Sequence, residues 1–304
     1  MSKKAGPSFL CSAWRLITHT LPTGRVSAFI LLTLLFSCSS KNQVNPQLAA
    51  EMPMKFLWAW ERPEDLRFLD PKEYGVAFLA QTIYLEQGNI TPKRRRVPLE
   101  VAPGTYLIAV TRIETAKDNA KRPAFDAAMI ERTAGLIKAT LELPDVKGVQ
   151  VDFDAVVSER NSYRELMRKL KAALSEPPAG APAAASASGV AMSVGGQSEQ
   201  PRQSSLVPRR SLTMTSLASW CTGDAWFNDF PVDEAVPMVF QMGADSDKIK
   251  TYLRNGNDWQ EPLCRGSYGI SLEEGLFDGM KPGRRMYYFK NSAWRADDIA
   301  NLGR

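Results

Sequence analysis

The stretch that most constrains the fold runs from Lys147 to Ala155. Two valines and a phenylalanine alternate there with Gln150, Asp152 and Asp154, so a β-strand would send its apolar side chains to one face and these three to the other. Strands of a parallel sheet that is covered by helices are normally apolar on both faces. Three polar side chains on one face therefore predict a strand that borders a polar interior, which indicates the floor of a functional site.

The rest of the chain alternates strand and helix signals, which predicts one α/β domain folded as a (β/α)8 barrel. Strands are expected at 55–60, 75–85, 105–114, 148–154, 212–219, 235–242, 266–271 and 286–290, and helices at 63–69, 123–143, 158–174, 224–230, 245–254 and 296–302. An open doubly wound sheet is the competing architecture. It is disfavoured because no glycine-rich phosphate loop follows any predicted strand.

The N-terminal residues predict export. Residues 1–25 carry basic side chains and no acidic one, and an apolar run at 26–36 and small residues around Cys38 follow. This order is typical of a signal peptide, and the apolar run is too short to span a bilayer. The segment from Leu35 to Cys38 resembles the lipobox of bacterial lipoproteins, which implies lipidation of Cys38. Cleavage nearby without a lipid is the alternative.

These signals divide the chain into segments. A signal peptide is expected over 1–38, a tether over 39–53 and the barrel domain over 54–304. Residues 175–210 have no apolar period, which predicts a disordered insertion after the fourth helix. The protein is expected in the periplasm or at the outer membrane, where it would contact the membrane through the N-terminal lipid only.

A single histidine, His19, lies in the predicted signal peptide. The remaining domain has none, which excludes Ser-His-Asp and Cys-His catalysis and the usual zinc sites with histidine ligands. Acid–base chemistry then falls to Asp, Glu, Lys, Tyr or Cys, with carboxylates first. The leading prediction includes no cofactor and no metal.

Two cysteines, Cys221 and Cys264, lie in the predicted domain. In an oxidising periplasm they would form one disulfide. Two buried free thiols are the alternative, because spacing alone does not decide between them.

The strong basic run, Lys93 to Arg96, lies between two prolines. No aromatic residues interleave with it, as a nucleic-acid platform would require. We therefore expect a solvated loop and no nucleic-acid partner.

The candidate site residues lie at the carboxyl ends of the predicted strands, where barrels of this class build their sites. Candidates for substrate binding are Trp58, Trp60, Arg112, Gln150, Trp220, Met238, Gln241 and Tyr288, and the candidate catalytic residues are Glu114, Asp152 and Asp154. This mixture suits a carbohydrate partner, because sugar rings offer apolar faces for stacking and hydroxyls for polar contacts. The alternative is structural: Trp58 and Trp60 pack the barrel wall, and Arg112 neutralises an aspartate.

Five motifs resemble, in order, an uncharacterised bacterial family called domain of unknown function 3142. They are Trp58–Arg62, Arg112–Glu114, Val149–Ala155, Ser219–Cys221 and Val236–Met238. The resemblance covers 54–290 apart from the insertion. It implies a barrel and an exported protein but no established activity.

The fourth predicted strand is also distantly similar to that of family 18 glycoside hydrolases, the chitinase-like barrels. Their strand reads D-G-x-D-x-D-x-E, with the final Glu as general acid and the preceding Asp as its partner. Gly148 and Asp152 match this pattern. Lys147 and Gln150 depart from it, and Asp154 stands where the family has its acidic Glu.

These observations support an exported glycoside hydrolase-like barrel that acts on polysaccharide. Asp154 would be the general acid, Asp152 would keep it protonated by charge repulsion, and Glu114 would be the second carboxylate. Arg112 and Gln150 would orient the substrate. A non-catalytic glycan-binding lipoprotein is the alternative, and the Asp at the acid position favours it. A third hypothesis makes the three carboxylates ligands of a divalent metal ion.

Overall fold

The computed structural model describes residues 51–175 and 210–300 together with Leu302. In chain order its strands are β1 (Lys55–Ala59), β2 (Glu64–Leu66), β3 (Tyr74–Glu86), β4 (Asn89–Arg94), β5 (Leu99–Val101), β6 (Tyr106–Thr115), β7 (Val146–Asp152), β8 (Ser211–Leu217), β9 (Glu234–Met238), β10 (Ser267–Ser271) and β11 (Arg285–Phe289). Eight of them, all but β2, β4 and β5, form one parallel barrel, which closes because β1 pairs with both β3 and β11. The predicted (β/α)8 class is confirmed.

Helices cover the outside of the barrel. They are α1 (Ala127–Ala139), α2 (Arg160–Ser175), α3 (Ser246–Arg254) and α4 (Ala296–Ala300). Asp126 caps α1 by accepting a 2.7 Å hydrogen bond from the Met129 amide, so the helix begins later than predicted. The helix expected at 224–230 is only a 3-10 turn, Ala225–Phe227. Among the described residues no helix is long and apolar enough to cross a membrane.

The helix predicted at 63–69 is wrong. This segment forms β2, which pairs in parallel with β5 outside the barrel. The Glu64 side chain is buried, accepts a hydrogen bond from the Trp294 amide at 3.0 Å and pairs with Arg62 at 3.1 Å. These tertiary contacts override the helix-start signal of Pro63.

The barrel interior is filled by a layer of large side chains. Its buried members are Met52, Phe56, Trp58, Ala77, Leu79, Tyr106, Ile108, Val110, Val236 and Tyr287. Gly269 makes room for one of them, because a Cβ there would lie 2.7 Å from the Trp58 ring. At the opposite end from the carboxyl ends of the strands, Arg285 pairs with Glu234 at 2.8 Å.

One side of the barrel rises above its rim. β3 has thirteen residues and continues past its pairing with β1, where it forms a hairpin with β4 and pairs with the end of β6. We call this extension, residues 81–86, 89–94 and 112–115, the wall. The solvated loop expected at Lys93 to Arg96 is therefore wrong in part, because Lys93 and Arg94 belong to β4, which pairs with the end of β3.

The predicted signal peptide, including Cys38, lies outside the described residues. Residues 39–50 of the predicted tether and 176–209 of the predicted insertion lie outside them as well.

Candidate functional site

A cavity of about 290 Å³ opens at the carboxyl ends of the barrel strands. Its lining comes from the ends of six strands and the segments that follow them: Trp58, Trp60, Arg112, Asp152, Asp154, Leu217, Ala218, Ser219, Met238, Phe240, Gln241, Met242, Asp245, Ile249 and Phe289. Seven of the predicted site residues, Trp58, Trp60, Arg112, Asp152, Asp154, Met238 and Gln241, therefore come together in one place. The volume is near the lower end of the range for small-molecule sites, roughly 300–1,000 Å³.

Trp58 belongs to both the cavity and the barrel core. Its ring lies 5.4 Å from that of Tyr287 and 6.3 Å from that of Phe240. Its indole Nε1 donates a 2.8 Å hydrogen bond to Oε1 of Gln150, and Gln150 Nε2 donates to Thr213 Oγ1 at 3.3 Å. Gln150 is fully buried beneath the cavity and does not line it, so its predicted substrate contact is replaced by a role in holding Trp58.

Asp152, the last residue of β7, points into the cavity as predicted. Its Oδ1 accepts a 2.7 Å hydrogen bond from the Thr215 hydroxyl of β8, and only 13% of its side chain is exposed. Burial, followed by the negative charge of Asp154, raises the pKa of Asp152 to about 6, against the opposing effects of Thr215 and Arg112.

Asp154 lies beyond the end of β7 and reaches the mouth of the cavity. The strand was expected to continue to this residue, but it ends at Asp152. Burial of its carboxyl raises the pKa of Asp154, and the nearby Arg112 opposes this rise. The two aspartates therefore share one cavity, with Asp154 nearer to an entering ligand.

Arg112 connects the acids to the aromatic side of the cavity. Its Nε lies 3.0 Å from Glu114 Oε1 and 4.0 Å from Asp152 Oδ2, and its guanidinium lies 6.0 Å from the centre of the Trp60 ring. The ion pair expected as the structural alternative is therefore present. The side chain is 41% exposed and also lines the cavity, so a ligand can contact it.

Besides Gln150, three predicted site residues do not line the cavity. Glu114 belongs to the wall, where its side chain is 41% exposed and pairs with Arg112. Trp220 is buried against Trp226 and Phe227, because the chain leaves the extended conformation at Ala218 and forms a 3-10 helix. Tyr288 belongs to the core outside the barrel.

Tyr287 and Tyr288 are adjacent in β11, so they point to opposite faces of the sheet. Tyr287 is the one that enters the barrel interior, where its hydroxyl donates to Glu234 Oε2 at 3.2 Å. Neither tyrosine lines the cavity, so the position of Tyr288 does not support its predicted contact with substrate.

Asp245 is a cavity residue that sequence reasoning missed. It precedes α3, a position where aspartate normally caps the helix, yet it makes no capping hydrogen bond. Its exposed carboxylate lines the cavity instead. The signal that identifies it is its place after β9, the sixth strand of the barrel.

The loop that carries Asp245 is held in an unusual conformation. Gln241 has a positive φ of 51°, which is unfavourable for a residue with a side chain. Its amide donates a 2.8 Å hydrogen bond to Oε1 of Glu274, and the other carboxylate oxygen of Glu274 lies 3.4 Å from Lys250 Nζ. The loop is thus anchored to the segment after β10, which fixes the side of the cavity that bears Asp245.

Cys221 and Cys264 form a disulfide, the first of the two alternatives. Both residues are fully buried. The bond joins the 3-10 helix Ala218–Thr222, whose first residues line the cavity, to the 3-10 helix Pro262–Gly266 that precedes β10.

The metal hypothesis is not supported by the geometry. Within the part of the chain that the structure describes, no group of three or more His, Cys, Asp or Glu side chains is placed to hold a metal ion. Asp152, Asp154 and Glu114 therefore do not form the oxygen-ligand set that this hypothesis requires.

The fold is similar to that of a solved structure described as a candidate chitinase A from Streptomyces coelicolor. The TM-score is 0.46 at 10% sequence identity, and the similarity covers 82% of this chain and 95% of that chain. No family model and no curated protein matches the sequence, so the resemblance to domain of unknown function 3142 stays a prediction.

Proposed function

We propose that the cavity binds a carbohydrate and that the protein hydrolyses a glycosidic bond, with Asp154 as the proton donor. The observation that carries this proposal is that two carboxylates with raised pKa values line the same cavity as Trp60 and Phe240. Glycoside hydrolysis needs a carboxyl group that stays protonated, and aromatic side chains suit the apolar faces of sugar rings.

The two aspartates have different roles in this proposal. Asp154 is the more exposed of the pair and would give its proton to the glycosidic oxygen. Asp152 accepts a hydrogen bond from Thr215, and the two aspartates would share one proton that Asp154 delivers, because two adjacent carboxylates rarely ionise together. Arg112 would bind substrate hydroxyls from the side of the cavity.

Asp245 replaces Glu114 as the second carboxylate. It follows β9 and Asp154 follows β7, and both carboxylates line the cavity. Asp245 would activate a water molecule held between the two carboxylates, as the second carboxylate does in inverting glycosidases.

In the proposed reaction a water molecule replaces the leaving group at the anomeric carbon. The glycosidic bond breaks and its electron pair stays on the leaving oxygen, which takes the Asp154 proton. A water molecule adds to the anomeric carbon and gives its proton to Asp245. Exchange with solvent then restores both acids.

Incubation of the full chain with a panel of neutral polysaccharides, followed by measurement of new reducing ends, tests this proposal. Asp154→Asn should lower the rate at least about 100-fold, the contribution of a general acid. Asp145→Asn, a change at an exposed aspartate outside the cavity, should leave the rate unchanged. Full activity in the Asp154→Asn variant would refute the assignment.

The second candidate function is carbohydrate binding without hydrolysis. The position of Arg112 favours it, because its positive charge lowers the pKa of both aspartates and so opposes the protonated state that catalysis needs. Calorimetry separates the two functions: this candidate predicts saturable heat on titration with an oligosaccharide and no release of product.

We further propose that the protein is exported and lipidated at Cys38. The sequence of the N-terminal segment supports this, and a disulfide between Cys221 and Cys264 is typical of proteins in oxidising compartments. Mass spectrometry of the protein purified from cells tests it. A lipid on Cys38 that is lost in Cys38→Ser is the expected result, and an unprocessed N-terminus contradicts the proposal.

A further inference from the structure

The register of the strands shows which side chains of the wall lie on the face next to the cavity. Thr82 of β3, Arg112 of β6 and Asp152 of β7 are paired in one row, so their side chains point to the same face of the sheet. Tyr84 and Glu114 form the next row on that face, two residues further from the barrel. Because Arg112 and Asp152 line the cavity, this face continues from the cavity outward.

Tyr84 is the aromatic residue of the second row. It is 38% exposed, whereas Ile83 and Leu85 on either side of it are buried. Strand geometry places its Cα about 12 Å from that of Asp152, two strands across and two residues up. A ligand that contacts both residues must be longer than a single sugar ring.

The face of the wall that points away from the cavity packs against the rest of the fold. Ile83 and Leu85 belong to the hydrophobic core, and Gln81 donates a 2.9 Å hydrogen bond to the Leu136 carbonyl of α1. The face that carries Tyr84 is therefore fixed in place by the packing of the other face.

The end of the hairpin is also attached to the barrel. The Arg95 amide donates to the Ala80 carbonyl at 2.8 Å, and its guanidinium donates to the carbonyls of Trp60 and Arg62 just after β1. The wall is thus preorganised next to Trp60, which limits the entropy that a bound ligand would have to remove.

Two ion pairs lie on and beside this face. Lys93 lies 3.3 Å from Glu61, and Arg112 lies 3.0 Å from Glu114. Paired charges leave no strong field of one sign, so they favour an uncharged polar chain over a nucleic acid or another polyanion.

We propose that the wall binds the continuation of a neutral oligosaccharide chain, whose first units occupy the cavity, and that Tyr84 stacks on a sugar ring outside the cavity. This inference rests on the proposed function and adds to it a binding surface for the sugar chain outside the cavity. The wall is expected to contribute to affinity only when the ligand is long enough to reach Tyr84.

Calorimetry with cello-oligosaccharides and chito-oligosaccharides, from the disaccharide to the hexasaccharide, tests the proposal on the full chain. The wild-type protein should bind the hexasaccharide more tightly than the disaccharide. Tyr84→Ala should weaken hexasaccharide binding about tenfold and leave disaccharide binding unchanged. Tyr84→Phe keeps the ring and should retain the wild-type affinity for both.

Phe68→Ala is the matched control, since Phe68 is 40% exposed and does not line the cavity. It should change neither affinity. If the disaccharide binds but longer chains bind no more tightly, the wall does not contact the ligand. Equal losses of affinity for both ligands in Tyr84→Ala would contradict the wall in the same way, and neither result would contradict carbohydrate binding in the cavity. The absence of binding by the wild-type protein to every oligosaccharide would overturn the cavity and the wall together.

Discussion

The indole nitrogen of Trp58 and the side-chain oxygen of Gln150 are joined by a 2.8 Å hydrogen bond inside the barrel. Trp58 comes from β1, and Gln150 comes from β7, the strand that leads to the two aspartates. This bond connects an aromatic residue that lines the cavity to the strand that leads to Asp152 and Asp154. The position of Trp58 in the cavity therefore depends on a buried residue that does not line the cavity itself.

Replacing Gln150 with leucine is expected to destabilise the protein. The change leaves the buried Trp58 N–H without an acceptor, which should lower the free energy of unfolding by about 1–3 kcal/mol. Urea denaturation of the variant and the wild type measures the difference.

The double variant Gln150→Leu/Trp58→Phe provides the control, because it removes donor and acceptor together. Its loss should be smaller than the sum of the two single losses. Strictly additive losses would show that the bond contributes nothing to stability.

The sequence predicts the barrel and the face of β7 that points into it, because both follow from local patterns. The alternation around Gln150 and Asp152 has the period of a strand, and that period fixes the face of each side chain. Both residues point into the barrel, as predicted. Asp154 reaches the cavity for a different reason, since it follows the end of the strand.

The misplaced residues depend on information that a local pattern does not contain. Tyr287 and Tyr288 are chemically alike, so no change of polarity marks which one faces inward. Trp220 follows a strand end that the apolar pattern places two residues too late. Asp245 has the sequence context of a helix cap, and only the tertiary structure shows that its carboxylate faces a cavity.

Asp152→Asn is expected to stabilise the protein at neutral pH. The pKa of Asp152 is raised to about 6, first by burial, while that of an aspartate in the unfolded chain is about 3.9. The native state therefore holds this proton more tightly than the unfolded state. As a result, the contribution of Asp152 to stability falls as the pH rises from about 4 to about 6 and stays low above that.

The Asp152→Asn variant has no carboxyl group to titrate at this position, so its stability does not fall in this way. Its amide oxygen can still accept the Thr215 hydrogen bond. Relative to the wild type the variant should gain about 1–3 kcal/mol on going from about pH 4 to about pH 7.5, as measured by urea denaturation. Asp145→Asn, at an exposed position, should show no such gain. A wild-type protein that becomes more stable than the variant as the pH rises would contradict the raised pKa.

Asp245→Asn should abolish most of the hydrolysis that the proposed function requires. Loss of the group that accepts the proton of the attacking water is expected to lower kcat about 100-fold or more while KM changes little. Asp247→Asn is the matched control, because Asp247 is an exposed residue in the first turn of α3 that does not line the cavity. Equal activities of the two variants would exclude Asp245 from the chemistry.

Removal of the disulfide should destabilise the protein and loosen one side of the cavity. Cys221 and Cys264 are separated by 43 residues. Closing a loop of this length in the unfolded chain is worth about 4 kcal/mol in the chain-entropy account, which corresponds to a fall in Tm of about 10 °C. The double variant Cys221→Ala/Cys264→Ala, followed by thermal unfolding, measures this fall.

Reductant supplies the control, because it should lower the Tm of the wild type towards that of the double variant and leave the variant unchanged. The cavity should respond as well, since Ala218 and Ser219 belong to the same 3-10 helix as Cys221. Oligosaccharide affinity, measured at a temperature well below the Tm, is therefore expected to be lower in the double variant than in the wild type. A double variant with the wild-type Tm would show that packing alone holds the two 3-10 helices together.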